Sequence, residues 1–222
     1  MHVRLLSYSQ PTSEFASMGI TDSQELIAFC ARVSNPSNQF NNDTSSKLIR
    51  YLVRHKHWSP LEMVSACMEI TTTRDIARQI LRHRSFSFQE FSQRYADPTK
   101  DLNFVFREAR LQDTTNRQNS IVTDDEDLQK KWDKYQNNVI NEARMAYNWA
   151  IENGIAKEQA RAVLPEGLIE SKIYMNGTLR SWVHFIELRS ANGTQKEHQE
   201  VAKACAEVIS KIFPLSSEFV LS

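Results

Sequence analysis

One long segment of helical periodicity in the second half of the chain restricts the fold more than any other pattern. Apolar residues recur there every three or four positions over about six turns, and they are Leu128, Trp132, Tyr135, Val139, Ala143, Ala146 and Trp149. Thr123 and Glu126 have the spacing of a capping box at its start, and Gly154 follows its end. Such a helix needs a neighbouring layer for its apolar face, which predicts a helix-rich C-terminal half.

The remaining segments predict a mixture of helices and strands. The predicted helices are 22–33, 43–55 (capped by Asp43), 74–84 and one that a second capping box, Thr194 with Glu197, begins ahead of Pro214. The predicted strands are 2–8, 61–72 and 102–109, with an extended, aromatic-rich stretch at 85–95. Because helices outnumber strands and do not alternate regularly with them, we expect an α+β fold, an antiparallel-type sheet flanked by several helices.

The whole chain, 1–222, is expected to form a single compact domain. Its length suits one domain, and 41% of its residues are apolar, which is enough for a sizeable core. The run 111–123 is polar and weakly patterned, and it predicts an exposed loop or insertion.

Composition excludes several classes of protein. The 27 basic residues balance 27 acidic ones, so binding of nucleic acid or an acidic membrane through bulk charge is excluded, and any electropositive site must be local. The 5 glycines form no GxGxxG or GxxxxGK[ST] nucleotide-binding loop. There is no signal-peptide pattern and no run of about 18 apolar residues. We therefore expect a soluble, cytoplasmic protein that does not bind membranes.

Site-like residues are most concentrated in the segment 74–95. Its basic residues are Arg74, Arg78, Arg82, Arg84 and Arg94, and its acidic residues are Asp75 and Glu90. The segment ends on Glu90-x-Ser92-x-Arg94, where a hydroxyl beside a guanidinium fork suits a phosphate monoester. A solvated basic helix face is the alternative interpretation of such a cluster.

Four motifs, in order along the chain, resemble those of the flavin-dependent thymidylate synthases. They are His57-Trp58-Ser59-Pro60-Leu61-Glu62; Arg82-His83-Arg84 followed by Ser92; Glu158-x-x-Arg161-x-x-Leu164-Pro165; and Thr178-Leu179-Arg180-Ser181 with His184 and Leu188-Arg189. The resemblance extends over residues 2–213. It implies reductive methylation of dUMP to dTMP, with methylenetetrahydrofolate as carbon donor, NADPH as reductant and FAD as hydride carrier.

The resemblance also assigns the substrate site. It gives dUMP to Gln79, Arg82, Glu90, Phe91, Ser92, Gln93, Arg94, Arg161 and Arg189. Ser92 and Arg94 would hold the phosphate, and Arg189 would be catalytic, stabilising the N3-deprotonated uracil ring electrostatically. An ordinary arginine at a helix end, favoured by the macrodipole, is the alternative for Arg189.

The cofactor site follows from the same resemblance. It gives FAD to Ser59, Arg82, His83, Arg84, Ser85, Glu90, Thr178, Arg180 and His184, and it puts His57 beside the flavin and folate. Thr178 stands where many relatives carry Asn, and His184 where some do, but both retain hydrogen-bonding capacity. The resemblance further implies a homotetramer with active sites at subunit junctions, and no metal.

Two other functions fit parts of the sequence. Arginines interleaved with aromatic residues suit a module that binds RNA or single strands, and these aromatic residues are Phe86, Phe88, Phe91 and Tyr95. Zero net charge counts against that reading. His55, His57 and His83 suggest a metal site, although His55 and His57 on a helix end would point about 200° apart.

A cysteine nucleophile is not expected. Cys30, Cys67 and Cys205 lie in apolar patterns typical of buried small hydrophobic residues. They are also too few and too scattered for a disulfide framework or a zinc cluster.

Overall fold

A four-stranded antiparallel sheet forms the centre of the protein. The structure is a computed structural model and describes residues 1–220. The strands are β1 (His2–Tyr8), β2 (Ser65–Thr73), β3 (Ser87–Glu90), β4 (Arg110–Gln112), β5 (Ser120–Val122) and β6 (Glu170–Thr178). The central sheet has the order β1-β2-β6-β3, and β4 pairs with β5 in a separate hairpin. The long central pair β2–β6 therefore joins distant parts of the chain, and β3 is an edge strand.

Helices surround this sheet. The α-helices are α1 (Ser13–Ser17), α2 (Ser23–Ala31), α3 (Ser45–Arg54), α4 (Arg74–Ile80), α5 (Pro98–Asp101), α6 (Glu126–Glu152), α7 (Lys157–Ala160), α8 (Leu179–Ser190), α9 (Lys196–Ile212) and α10 (Ser217–Val220). Short 3₁₀ turns lie at Pro36–Asn38, Asn42–Thr44, Ser59–Glu62, Arg161–Val163 and Pro214–Ser216. The arrangement confirms the α+β prediction, with an antiparallel sheet flanked by helices. No helix within residues 1–220 is both long and apolar enough to cross a bilayer.

The main core lies between the sheet and the helices α8 and α9. Buried side chains of β2 and β6, such as Met68 and Ile173, join those of Trp182 on α8 and Val201 on α9. Trp182 is fully buried, and its Nε1 donates to the carbonyl of Ala66 at 3.0 Å. Because the indole is hydrogen-bonded as well as buried, it fixes α8 against β2.

One close approach fixes the edge strand. The Phe86 ring lies over Gly177 of β6, where an added Cβ would come within 2.3 Å of Phe86 Cδ1. Only glycine leaves room for this ring, which packs edge-on against Trp182 with centroids 4.8 Å apart. Phe86 directly precedes β3, so the contact sets where the basic segment meets the sheet.

The predicted strand at 102–109 is wrong. Within it, Phe104 forms a single bridge to Ile169. The backbone N–H groups of Arg107 and Ala109 instead donate to side-chain amides on α6, Gln136 Oε1 at 2.7 Å and Gln129 Oε1 at 2.6 Å. Side chains thus replace a neighbouring strand as hydrogen-bond partners, and the periodicity of the segment itself cannot reveal that exchange.

The long helix is confirmed as α6, but its periodic apolar residues are largely exposed. The buried face of α6 carries Gln136, Ile140, Ala143, Tyr147 and Ala150. Trp132, Tyr135, Val139 and Trp149 keep 42%, 66%, 49% and 60% of their surface exposed. These four residues, which we term the α6 stripe, form an apolar face that the single chain leaves uncovered.

The predicted helix caps are wrong at three places. The N-cap of α6 is Asp125, whose Oδ1 accepts from Leu128 N at 2.9 Å. Gln195 precedes α9, and Glu197 there binds Arg110 (2.6 Å) instead of closing a capping box. Asp43 lies in a 3₁₀ turn ahead of α3.

Other element bounds also shift. The strand at 2–8 is confirmed, while the one predicted at 61–72 begins only at Ser65, because the turn Ser59–Glu62 precedes it. The run 111–123 is exposed as predicted, but it includes strand β5 and part of β4. In the hairpin turn, Asp113 accepts hydrogen bonds from the Asn116 N–H, from the hydroxyl and N–H of Thr115 and from the Asn119 side chain, and together they lower its pKa to about 2.

Candidate active site

The basic segment 74–95 contains both structural and accessible arginines. Arg74 is buried at the start of α4, and its Nη1 lies 3.3 Å from Glu90 Oε1 while its Nε faces Glu166. Arg82 and Arg84 are exposed, since α4 ends before them. The guanidinium groups of Arg82 and Arg84 are therefore accessible to a ligand.

Arg189 and His83 form the most tightly defined contact of the site. Nε of Arg189, in the last turn of α8, donates to Nε2 of His83 at 2.8 Å. Burial, and then the Arg189 charge, lower the pKa of His83 to about 4, so the ring is a neutral acceptor. Burial, and then the charge of Arg82, also lower the pKa of Arg189. Within residues 1–220 the terminal Nη groups of Arg189 have no hydrogen-bond partner.

Gln79 on α4 is held by two residues that the motifs do not include. Its Nε2 donates to Gln195 Oε1 at 2.9 Å, and its Oε1 lies 3.2 Å from Nδ1 of His198. His198 is fully buried. Sequence reasoning missed both residues, although a histidine on the face of α9 that buries Val201 and Cys205 is a signal of a polar contact in the core.

A second group of predicted residues lies at the N-terminus of α8. Thr178 Oγ1 caps the helix by accepting from Ser181 N at 3.3 Å, and Ser181 Oγ donates to the Ser85 carbonyl at 3.3 Å. Arg180 pairs with Glu62, which ends the turn Ser59–Glu62. These contacts bring Ser59, Ser85, Thr178 and Arg180 to one surface.

His184 and His57 differ in their surroundings. The His184 ring packs edge-on against Trp58, with centroids 4.5 Å apart, so it lies next to the same turn. His57 is exposed, and its ring centroid lies 6.2 Å from that of His55. His83, the third residue of the suggested metal site, is engaged by Arg189. No group of three metal-binding side chains converges anywhere in residues 1–220.

The predicted phosphate residues lie beyond the end of β3. The Arg94 backbone N–H donates to Ser92 Oγ at 3.4 Å, and Arg94 Nε lies 3.6 Å from Glu158 Oε2. Arg161 follows Glu158 by one helical turn. Ser92, Arg94 and Arg161 therefore share one edge of the molecule.

Glu90, Phe91 and Gln93 are anchored beside this edge. Glu90 Oε1 accepts from Ser171 Oγ at 2.8 Å, and the Phe91 N–H donates to the Lys172 carbonyl at 2.8 Å. Gln93 is buried, and within residues 1–220 its Nε2 has no partner. An unsatisfied buried donor of this kind is typically completed by a bound ligand or water.

The predicted substrate residues thus form two sets. Gln79, Arg82 and Arg189 make up the α8-side set, and Ser92, Arg94 and Arg161 make up the β3-side set. No hydrogen bond or ion pair within residues 1–220 joins one set to the other.

The exposure of the aromatic residues does not support the hypothesis of a nucleic-acid-binding module. Of the aromatic residues proposed to stack on bases, Phe86 is buried, Phe88 and Phe91 are half-buried, and Tyr95 is exposed, so they form no continuous stacking surface.

Cys205 is buried as predicted, whereas Cys30 and Cys67 are only half-buried. Burial raises the pKa of all three thiols, which disfavours a thiolate.

Comparison with known proteins decides the family. The sequence model described as thymidylate synthase complementing protein matches residues 17–215. A probable flavin-dependent thymidylate synthase of Paramecium bursaria Chlorella virus 1 is 49% identical over 214 residues, which cover 96% of each chain. The chain belongs to the flavin-dependent thymidylate synthase family. The predicted family is thereby confirmed, and the protein is an enzyme.

A second relative and one solved structure are also similar to this chain. The flavin-dependent thymidylate synthase of Synechocystis sp. is 46% identical over 215 residues, covering 96% of each chain. A crystal structure of a UMP/dUMP methylase PolB from Streptomyces cacaoi, bound with 5-Br dUMP, superposes with a TM-score of 0.81 at 25% identity. The match covers 98% of this chain and 93% of that one. The fold of the family is therefore present over the chain, while the roles of individual residues stay predictions.

Proposed function

We propose that this protein methylates dUMP reductively to dTMP, with methylenetetrahydrofolate as carbon donor, NADPH as reductant and FAD as hydride carrier. The observation that carries the proposal is the Arg189 guanidinium, which a neutral His83 holds by Nε alone at the end of a rigid helix. The names of the relatives, and the 5-Br dUMP in the PolB structure, support a pyrimidine nucleotide as substrate.

The β3-side set suits the phosphate of dUMP. A phosphate monoester carries nearly two negative charges at neutral pH and needs several charge-assisted donors, which Arg94 and Arg161 supply together with the Ser92 hydroxyl. The Glu158 carboxylate lies near Arg94 at a loose 3.6 Å, so a phosphate can replace that contact. The α8-side set would then meet the base.

The residues at the N-terminus of α8 fit FAD. The guanidinium groups of Arg180 and the exposed Arg84 suit a pyrophosphate, whereas the first N–H groups of α8 contribute little, because Leu179 N donates to the Val64 carbonyl at 3.0 Å and Ser181 N to Thr178 Oγ1. Ser59, Arg82, His83, Ser85, Glu90, Thr178 and His184 would complete the set. Thr178 already uses its hydroxyl as the helix cap, so it would act on FAD by positioning α8. When bound, FAD supplies the capacity to carry a hydride.

Arg189 would activate the substrate electrostatically. Uracil C5 becomes a carbon nucleophile when negative charge builds on N3 and O4 of the ring. The Nη donors of Arg189 can stabilise that charge without losing a proton, and they bind the charged ring more strongly than the neutral one. His83 orients this fork, and exposed His57 would lie on the flavin and folate side.

We further infer that the working enzyme is a homotetramer whose active sites lie at subunit junctions. Two observations support this assembly: within residues 1–220 no hydrogen bond or ion pair joins the two sets of predicted substrate residues, and the α6 stripe is an exposed apolar face. We also infer a cytoplasmic enzyme without a nucleic-acid partner, consistent with free thiols and zero net charge.

An anaerobic assay tests this function. The purified protein is supplied with dUMP, methylenetetrahydrofolate, NADPH and FAD, and each component is omitted in turn while dTMP is measured. We expect dTMP only in the complete mixture. Formation of dTMP in the absence of both free and bound flavin would contradict the proposal.

A further inference from the structure

A continuous chain of hydrogen bonds runs behind Gln79. His198 Nδ1 faces Gln79 Oε1 at 3.2 Å, Gln79 Nε2 donates to Gln195 Oε1 at 2.9 Å, and Gln195 Nε2 donates to Glu197 Oε2 at 3.0 Å. The other oxygen of Glu197 accepts from Arg110 at 2.6 Å. The chain therefore connects an anchored carboxylate to a buried imidazole, with Gln79 in between.

The carboxylate sets the direction of every bond in this chain. An ionised carboxylate can only accept, and the paired arginines keep the pKa of Glu197 low despite its burial, so Gln195 must turn its NH₂ group toward Glu197. The Gln195 oxygen then faces Gln79, which must donate to it. Gln79 is left with its oxygen toward His198, and that contact requires a proton on His198 Nδ1. The orientation of the Gln79 amide is thus determined by its neighbours.

Within residues 1–220 the bond to Gln79 is the one hydrogen bond that the His198 side chain makes. Its side chain is fully buried against Phe185, with ring centroids 5.8 Å apart, and within residues 1–220 its Nε2 has no partner. A buried imidazole with one unsatisfied nitrogen costs stability compared with an apolar residue of similar size. Its presence on the apolar face of α9 is therefore better explained by the bond to Gln79 than by packing.

We propose that His198 is a positioning residue that, with Gln195 and Glu197, locks the Gln79 amide in the single orientation in which it meets the pyrimidine nucleotide. The inference rests on the proposed function, which puts Gln79 against dUMP. In this orientation Gln79 keeps one N–H and one oxygen lone pair free for the nucleotide. Without these hydrogen bonds the Gln79 amide would rotate in the free enzyme, and ordering it on binding would cost part of the binding free energy of the nucleotide.

The test measures the affinity of the full-length, FAD-supplied protein for dUMP by titration calorimetry. His198→Leu removes the donor, and His198→Asn keeps a donor attached at the same side-chain position as Nδ1. We expect His198→Leu to weaken dUMP binding roughly 3- to 10-fold, the effect of one neutral hydrogen bond, and His198→Asn to restore most of it. In a Gln79→Ala background, His198→Leu should have no further effect, because it acts through Gln79.

Each outcome has a distinct meaning. An equal loss from His198→Leu in both backgrounds, or a loss that His198→Asn does not restore, would show a merely structural histidine and overturn the inference. Should His198→Leu not fold, Gln195→Met breaks the chain one bond further along and must show the same dependence on Gln79. If the unmodified protein fails to bind dUMP, the proposed function itself falls, whereas normal binding by His198→Leu refutes the positioning role alone.

Discussion

At the scale of single residues, a guanidinium that stabilises charge on a substrate must keep its donors free within the protein. Arg189 meets this condition, since His83 engages Nε and leaves the planar pair of Nη groups to a ligand. A protonated His83 could not accept that bond, and its pKa of about 4 ensures a neutral ring near neutral pH. The geometry therefore favours a chemical role for Arg189 over an ordinary helix-end contact.

We expect Arg189→Lys to lower the rate of dTMP formation roughly 10- to 1000-fold, because lysine keeps the charge but not the paired donors aimed at the developing enolate. Oxidation of NADPH should continue, since it needs no ionised uracil. The measurement is both rates on the same variant. Arg78→Lys, on the exposed ion pair with Glu166, is the matched control. A parallel fall of both rates would make Arg189 structural.

The family resemblance named Arg189, His83 and Gln79 as site residues, but it did not name the residues that hold Gln79. Arg189 and His83 stand in the quoted motifs and Gln79 precedes one of them by three residues, whereas Gln195 and His198 act through side-chain contacts across helices. Such contacts depend on how α4 and α9 pack, which a linear pattern does not encode.

At the scale of elements, Ser92 and Arg94 lie beyond the end of β3, whereas Arg180 lies at the N-terminus of α8. Substitutions at these two places should therefore separate substrate binding from cofactor binding. We expect Ser92→Ala and Arg94→Ala to weaken dUMP binding roughly 10- to 100-fold, the effect of a lost charge-assisted contact, while leaving bound flavin. Arg180→Ala should weaken flavin retention first. Flavin absorbance after gel filtration measures retained flavin, and titration measures dUMP affinity. Equal loss of both ligands in all three variants would show that the assignment of these residues to substrate and cofactor is wrong.

The contact of Phe86 with Gly177 makes a second prediction for the sheet. Gly177→Ala puts a methyl group into the ring and should lower the free energy of unfolding by about 1–3 kcal/mol, or the Tm by roughly 2–12 °C. Gly167→Ala is the control, because its Cβ would meet no heavy atom closer than 3.9 Å. Thermal unfolding of both variants measures the difference, and equal Tm values would show that β3 adjusts freely.

Periodicity predicted most elements but fewer of their ends. The strand at 2–8 and the long helix α6 follow from local pattern, which the structure confirms. The segment 102–109 is apolar enough for a strand, yet amides of α6 bind its backbone. Glu197 has the right spacing for a capping box but is engaged by Arg110. In both cases a distant side chain competes successfully with the local signal.

At the scale of the whole molecule, the proposed homotetramer predicts that another copy of the chain completes each active site. At a dUMP concentration well below that needed to saturate Arg94→Ala, this variant and Arg189→Ala should each show little activity alone. Refolded together in equal amounts, they should regain about one quarter of normal activity, because a random assembly then joins an intact β3-side set to an intact α8-side set in that fraction of sites. Mixtures that remain inactive would indicate a site formed within one chain.

The uncharged imidazoles of His83 and His198 have a physiological consequence. Their pKa values, about 4 and about 3, lie well below the pH of a living cell's interior, even when that pH falls moderately. In the proposed site, the positive potential that faces the nucleotide would therefore come from guanidinium groups, which stay charged throughout that range. We therefore expect a moderate drop in internal pH to leave the charges of His83, His198 and Arg189 unchanged, so any acid sensitivity of thymidylate supply at this step would arise from other groups.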